Sequence, residues 1–268
     1  MKTIITHSNS MHCDEITACT LLAIFKPADY KIIRIPHQAD IPEDADYVID
    51  IGRKYDGIKY FDHHQRDKED PMFKYSSAGL IWEYLGLQDL YPNITKLINL
   101  IDENDVGIRK ATHAELPRII GAFNTPDIYN DDMQELAFID AMHTLEVVIR
   151  SMVNYQDDVN SVEPYLISRY DSLSDWEQNT RTLVSDRYLP GWNTLLNGEN
   201  TPELSYLMWP KGDNTTEWHA QVLQKVPTDY ALHGTAFKQD QSMIFVHETG
   251  FFCCSKDKQT MIEYLERQ

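Results

Sequence analysis

The sequence predicts an α/β chain: a mostly parallel sheet with helices on both faces, then a helical connector, then a smaller α+β C-terminal domain. Three observations carry this reading. Short β-branched runs alternate with stretches of helical period up to residue 105. Residues 131–183 are acidic and helical in pattern. After Pro190-Gly191 the apolar residues fall into short runs separated by turn signals.

Taken in order, TIITH (3–7) is a buried-strand run, and EITACTLLAIF (15–25) carries apolar residues at helical spacing with Asp14 as its expected N-cap. KIIRIP (31–36) is a second strand ended by Pro36, DYVIDIG (46–52) a third ended by Gly52, and IKYFDHH (58–64) a fourth. SSAGLIWEYLGL (76–87), capped by Ser76 or Ser77, and ITKLINLIDEND (94–105) read as helices. FIDAMHTLEVVIRSMV and the run from Val162 to Val184 read as one or two long helices, a solvated connector. LSYLMWP and EWHAQVLQKV then flank KGDNTTE, a hairpin signal; SMIFVH is a further strand, and residues 257–267 form a closing helix. A boundary near residue 183 divides the chain into 1–183 and 184–268.

Composition excludes several classes. Hydrophobic residues at 42% and charged residues at 25% are ordinary for a globular chain, not for a disordered tail or a collagen-like rod. Lys+Arg number 24 against Asp+Glu 42, a net charge of −18, the wrong sign for a general nucleic-acid coat or an anionic membrane surface. The excess is concentrated between residues 102 and 180, where 5 basic residues face 16 acidic ones, a balance of −11. No apolar run reaches membrane-spanning length, and MKTIITHSNSMHCDE lacks a signal-peptide core. Four cysteines, at 13, 19, 253 and 254, make no disulfide framework. The expectation is a reducing, cytoplasmic location.

The polar residues converge on one sheet edge. His7 ends the first strand, Asp50 lies near the end of the third, and Asp62, His63 and His64 end the fourth. Ligands of open parallel sheets bind beyond the carboxyl ends of the strands. His12 and Asp14 follow the first strand at a spacing of two, and Asp102 and Asp105 share one helix face. His37 and His113 taken alone read as ordinary hydrogen-bonded residues, and Asp56 and Asp105 each also suit a turn. The Asp62-His63-His64 triplet resists that explanation, because two adjacent imidazoles follow the alternating run IKYFD where the sheet should end. The pool of imidazoles and carboxylates suits two divalent metal ions sharing a carboxylate, Mn²⁺ or a similar octahedral metal such as Mg²⁺. Two such ions clamp the attacking and leaving oxygens of an in-line displacement at phosphorus.

Asp62-His63-His64 matches the signature of the DHH phosphoesterase superfamily. Within it, THSNSMHCDE (6–15), VIDIG (48–52), FDHHQR (61–66), SSAGLIW (76–82), EWHAQVLQ (217–224) and IFVHETGF (244–251) resemble the melanocyte proliferating gene 1 exonuclease family. The resemblance implies a metal-dependent 3′–5′ exoribonuclease acting on short single-stranded RNA or oligonucleotides, with 1–183 as the catalytic domain and 184–268 binding substrate. At matching positions it gives His7, His12 and Asp50 to one metal. Asp14, Asp50, His63 and an acidic residue of the 102–105 segment go to the other, and of that segment we take Asp102 over Asp105. His64 would act on the phosphate, Asp62 would orient a histidine, and Arg66, Ser76, Ser77, His247 and Lys256 would bind substrate. Cys253 and Cys254 stand where many superfamily members have a Gly pair, and Val106 where the family often has Asn. The implied partner is a short single strand or nucleotide and not a membrane, with homo-oligomerisation left open. A small-molecule phosphohydrolase acting on pyrophosphate, a nucleotide or a cyclic dinucleotide would use the same centre. A catalytically silent binding module is the third reading.

Overall fold

The computed structural model describes residues 1–65, 72–196, 204–213, 215–223 and 236–268. It comprises two compact units, Met1–Asn154 and Tyr155–Gln268. The division falls inside a long helix, Asp131–Tyr170, and not near residue 183 as expected. The reason is packing: Val162 and Leu166, in the later turns of that helix, share a buried cluster with Leu183, Leu189 and Leu207.

The first unit is built on four parallel strands: β1 (Lys2–His7), β2 (Tyr30–Ile35), β3 (Tyr47–Ile49) and β4 (Tyr60–Phe61). Their order is β2-β1-β3-β4. The chain steps from β1 to β2 on one side and returns to β3 on the other, so the strand order reverses between β1 and β3. Such a switch point opens a crevice at the carboxyl ends of its two flanking strands. Those ends are His7 and the residue after Ile49, Asp50.

The helices of this unit are α1 (Cys13–Phe25), α2 (Ser77–Leu85), α3 (Pro92–Asp105), the short α4 (Leu116–Gly121) and the start of α5 (Asp131–Tyr170). The turns of α1 from Cys13 to Leu22 are wholly buried, which explains why its apolar residues run all round rather than in one stripe. Its N-cap is His12, two residues before the expected Asp14, and Asp14 and Glu15 occupy the first turn, where the helix dipole favours negative charge. α2 is capped by Ser76 and closed by Gly86 in the left-handed conformation, while α3 opens on Pro92. Ile94, Ile98 and Ile101 of α3 and Leu80, Ile81 and Trp82 of α2 join the α1 face in one core.

The second unit carries a mixed sheet in the order β5-β6-β7-β9-β8. β5 (Thr182–Val184) runs parallel to β6 (Tyr206–Pro210), and the pairs from β6 onward are antiparallel: β7 (Trp218–Val222), β9 (Phe252–Ser255) and β8 (Phe245–Val246). The β6–β7 pairing of Pro210 with Trp218 is the hairpin that KGDNTTE signals. α6 (Asp175–Thr180), α7 (Trp192–Leu196) and α8 (Lys258–Leu265) complete the unit. The one or two long helices expected over residues 131–183 are α5, which stops at Tyr170, and the short α6; the end of the EWHAQVLQKV strand lies outside the described residues. Cys253 is fully buried with its sulfur 3.9 Å from that of Met261, and Cys254 is buried beside it. Burial pushes both thiols up, as inert packing residues would show. Among the described residues no helix is long and apolar enough to cross a membrane.

Candidate metal centre

The residues of the centre are delivered by element ends: those of β1, β3 and β4, the start of α1 and the end of α3. His7 is the last residue of β1, and the segment after it is held from three sides. The Arg34 guanidinium donates to the His7 and Asn9 carbonyls, the Asn124 side chain pairs with both backbone groups of Met11, and Gln134 donates to the Asn9 carbonyl. None of Arg34, Asn124 and Gln134 carries a sequence signal of its own. Asp50 sits just past β3 at φ +55°, a left-handed conformation for a non-glycine residue, of the kind that clusters at functional sites. Asp62, His63 and His64 leave the end of β4.

Asp50 lies at the centre. One carboxylate oxygen, Oδ2, is 3.3 Å from His7 Nε2; the other, Oδ1, is 3.4 Å from His63 Nε2 and accepts from Ser77 Oγ at 3.1 Å. His63 Nε2 also lies 3.1 Å from Asp105 Oδ2. His7 Nδ1 faces the Ser8 carbonyl at 3.0 Å, which places a proton there and turns Nε2 toward two carboxylates, Asp50 and Glu15, the latter at 3.4 Å. Three ligand groups result among the described residues: His7, His12, Glu15 and Asp50; Asp50, His63 and His64; and His12, Asp14 and Asp105.

The donor set fits divalent cations on an observation independent of its resemblance to any family. His7 Nε2, Asp14 Oδ1, Glu15 Oε2 and His63 Nε2 are buried polar atoms with no hydrogen-bond partner among the described residues, and their side chains belong to these groups. Buried polar atoms are rarely left so, and several carboxylates together require a compensating charge. The electrostatics agree. Burial and the neighbouring Asp14 and Asp50 charges push Asp105 up to about 10, and burial and Asp50 raise Asp14. Burial raises Asp50 too, but the His63 and His7 imidazoles that face it outweigh burial and hold that carboxyl well below the usual range. Burial opposes protonation of His7, yet Asp50 holds its pKa above the ordinary value.

Two sequence expectations are corrected by what the side chains touch. Asp102, the expected ligand, stands outside the three groups: its Oδ1 accepts from Ser76 N at 3.0 Å, Ser76 Oγ at 2.6 Å and Gly79 N at 3.1 Å, while its Oδ2 is buried with no hydrogen-bond partner among the described residues. It is Asp105, one turn later on α3, that reaches His63 and Asp14. Ser76 and Ser77, expected to bind substrate, are fully buried; Ser77 donates to Asp50 and its backbone to Asp14, so both serines hold carboxylates in place. Arg66 lies outside the described residues. His247 and Lys256 belong to the second unit, where His247 bonds Thr249 and Lys256 is exposed.

Glu15 and His37 are the residues the sequence reading passed over. Glu15 is fully buried and accepts from the His12 backbone N–H at 2.7 Å, a capping-box contact that the HxDE spacing encodes. His37 stacks on His7 with ring centroids 4.7 Å apart, and no local pattern marks it. Gly79 is required by close approach, since a Cβ there would collide with the Asp102 carboxylate. Gly→Ala inside a helix ordinarily gains about 1 kcal/mol. Here Gly79→Ala is expected to reverse that sign and lower stability by about 2 kcal/mol, as overpacking does, read from a urea or thermal midpoint. A stabilised variant would show that the carboxylate moves aside freely.

His64 differs from the other ring residues. Its side chain is 48% exposed, and its Nδ1 is 2.8 Å from Asp62 Oδ1. Asp62 is buried and also accepts from the backbone N–H groups of His64 and Arg53. Hydrogen bonding to Asp62 raises the His64 pKa. The second ring nitrogen, Nε2, makes no hydrogen bond or ion pair among the described residues.

The model of the MYG1_exonuc family, described as an uncharacterised protein family (UPF0160), matches residues 3–267. A MYG1 protein of Saccharomyces cerevisiae is 37% identical over 134 residues, covering 41% of this chain and 39% of that one. A MYG1 protein of Schizosaccharomyces pombe is 32% identical over 149 residues, covering 47% and 46%. The human protein called MYG1 exonuclease is 37% identical over 93 residues, covering 30% and 24%. The matched stretches thus span less than half the length of each of these relatives. A crystal structure of RecJ in complex with Mn²⁺ from Thermus thermophilus aligns over 99% of this chain and 51% of that one at 13% identity, with a TM-score of 0.30, too slight a likeness to carry an inference.

Proposed function

From the premise that the chain belongs to the MYG1_exonuc family, we propose that it is a metal-dependent phosphodiesterase, a 3′–5′ exoribonuclease acting on short single-stranded RNA. The observation that carries the reading is Asp50, whose two oxygens face two different ligand groups, His7 on one side and His63 on the other. His7, His12 and Asp50 would hold one divalent cation, with Glu15 beside them; Asp14, Asp50, His63 and Asp105 would hold the second. Bound Mn²⁺ or Mg²⁺ would neutralise the carboxylates, ionise a water and polarise the phosphate for in-line displacement.

The chain's own groups do the rest. Asp50 fixes the spacing of the two halves of the centre. Ser77 and Ser76 hold Asp50 and Asp102 in position through buried hydroxyls. Asp62 accepts the Nδ1 proton of His64, leaving Nε2 to donate to a phosphate oxygen as charge develops there. His64→Ala is therefore expected to lower turnover about 10²–10³-fold, the range for losing one such donor, while metal content stays near that of the parent. Metal content falling in step with turnover would make His64 a ligand.

The function is tested by incubating the chain with Mn²⁺ and 5′-labelled oligoribonucleotides and resolving the products. A ladder shortening from the 3′ end, abolished by chelation, is expected. Turnover of pyrophosphate or a cyclic dinucleotide without any on oligomers would shift the reading to a small-molecule phosphohydrolase. Absence of metal-dependent turnover on all of them would leave a binding module.

A further inference from the structure

A cleft of about 1040 Å³ opens within the first unit, directly beside the metal ligands. His12, Asp14 and Asp105 line one part of it, and Arg109, Lys110 and Arg118 another. These three cations are three of only five in the segment where acidic residues number 16. In a chain of net charge −18 this grouping sets the cleft apart from the surface around it.

The cations are not equivalent. Arg109 is held by Glu115 at 2.7 Å and Glu103 at 3.4 Å, so its charge is already answered. That pairing has a consequence for the other two. Glu115 also accepts from Thr112 N, and Ala111 N donates to Asn104 Oδ1 on α3. The loop after α3 is thereby pinned to the helix that carries Asp105. Among the described residues Lys110 and Arg118 have no acidic partner; the side-chain bond Arg118 makes there is from Nε to the Ala111 carbonyl at 3.3 Å, and its terminal nitrogens make none. Two cations without an acidic partner are thus held on a fixed frame beside a cluster suited to a phosphate.

We infer that this cleft is the path of the substrate strand: Arg118 and Lys110 take phosphates adjoining the one at the metal centre. The inference rests on the phosphodiesterase reading and names the residues that hold the strand beyond the metal centre. The cleft, at about 1040 Å³, lies at the upper end of the range for ligand sites, about 300–1,000 Å³, which leaves room for more than one nucleotide. The contact is to backbone charge, so it carries no base preference.

The test is equilibrium binding of a fluorescent, hydrolysis-resistant 2′-O-methyl phosphorothioate hexanucleotide to the full chain with Mn²⁺, by anisotropy across a salt series. Each single-strand phosphate contact contributes about 0.7 to the slope of log K against log salt. Arg118→Ala and Lys110→Ala are each expected to weaken binding several-fold and to flatten the slope by about 0.7, and the double variant by about 1.4. Arg118→Lys, which keeps the charge, should restore most of the slope. Circular dichroism establishes that each variant is folded. No hexanucleotide binding, or a double variant with parental affinity and slope, overturns the inference. Hydrolysis of bis(p-nitrophenyl) phosphate with Mn²⁺ is measured alongside. A chain that hydrolyses it without the salt response loses the channel and keeps the centre; a chain with the salt response and no hydrolysis keeps the channel and loses the phosphodiesterase reading.

Discussion

Asp50→Asn is expected to abolish Mn²⁺-dependent hydrolysis, by more than about a thousandfold, in a chain that remains folded. A shared carboxylate supplies several kcal/mol of charge stabilisation, and each 1.36 kcal/mol is about tenfold in rate. The substitution removes the anion facing both His7 Nε2 and His63 Nε2 while keeping the side chain's size. It also suits the backbone: at φ +55° Asn is among the few side chains that adopt the left-handed region readily, so no new strain arises. Ser77 Oγ retains an oxygen to donate to. Thermal melts of the variant should show one folded transition, and metal analysis should show reduced content. A rate near that of the parent at saturating Mn²⁺ would remove Asp50 from the bridging position.

Much of this centre is legible in the sequence for a definite reason. β1 and β3 are short apolar runs bounded by polar residues, so the residue ending each run is also the residue placed at the sheet edge. His7 and Asp50 follow from that logic, and Asp62-His63-His64 from the abrupt end of IKYFD, although β4 itself is only Tyr60–Phe61. Short elements were not legible: β5, α4 and α7 have three to six residues, too few to show a period. The stop at Tyr170 did carry a signal, because Ser174 and Glu177 form a capping box that opens α6. The choice between Asp102 and Asp105 lay beyond local pattern. Both sit on one face of α3, and what separates them is that the N-terminus of α2 presents two backbone N–H groups and a hydroxyl to the first. That approach, admitted by the missing Cβ of Gly79, is tertiary.

The two aspartates therefore differ in a way that stability can read with and without metal. Asp105 has its folded pKa raised to about 10, far above its value of about 3.9 in the unfolded chain. A group raised in this way contributes stability that is full below its unfolded pKa and lost as pH rises through the folded one. Asp102, raised to about 7 by burial, acts with the same sign over a lower window. The metal-free chain should accordingly be less stable at pH 8.5 than at pH 5.5, an expectation set by the ~3.9 to ~10 window. Asp50, held low, loses its contribution only in strong acid. Adding Mn²⁺ at about 100 times its Kd should contribute about 2.7 kcal/mol, roughly 5–10 °C in melting temperature, and more at the higher pH, where the ligands are ionised. Asp105→Asn is expected to stabilise the metal-free chain at pH 8.5, flatten its pH dependence and remove most of the gain from Mn²⁺. Asp102→Ala is expected to destabilise both forms, by about 2 kcal/mol or more, because Ser76 N, Ser76 Oγ and Gly79 N lose their acceptor. It should leave the Mn²⁺ increment largely intact. Melts of both variants at the two pH values, with and without Mn²⁺, decide the matter. If Asp102→Ala abolishes the increment and Asp105→Asn keeps it, the ligand is Asp102 after all, through the oxygen that α2 leaves unpartnered.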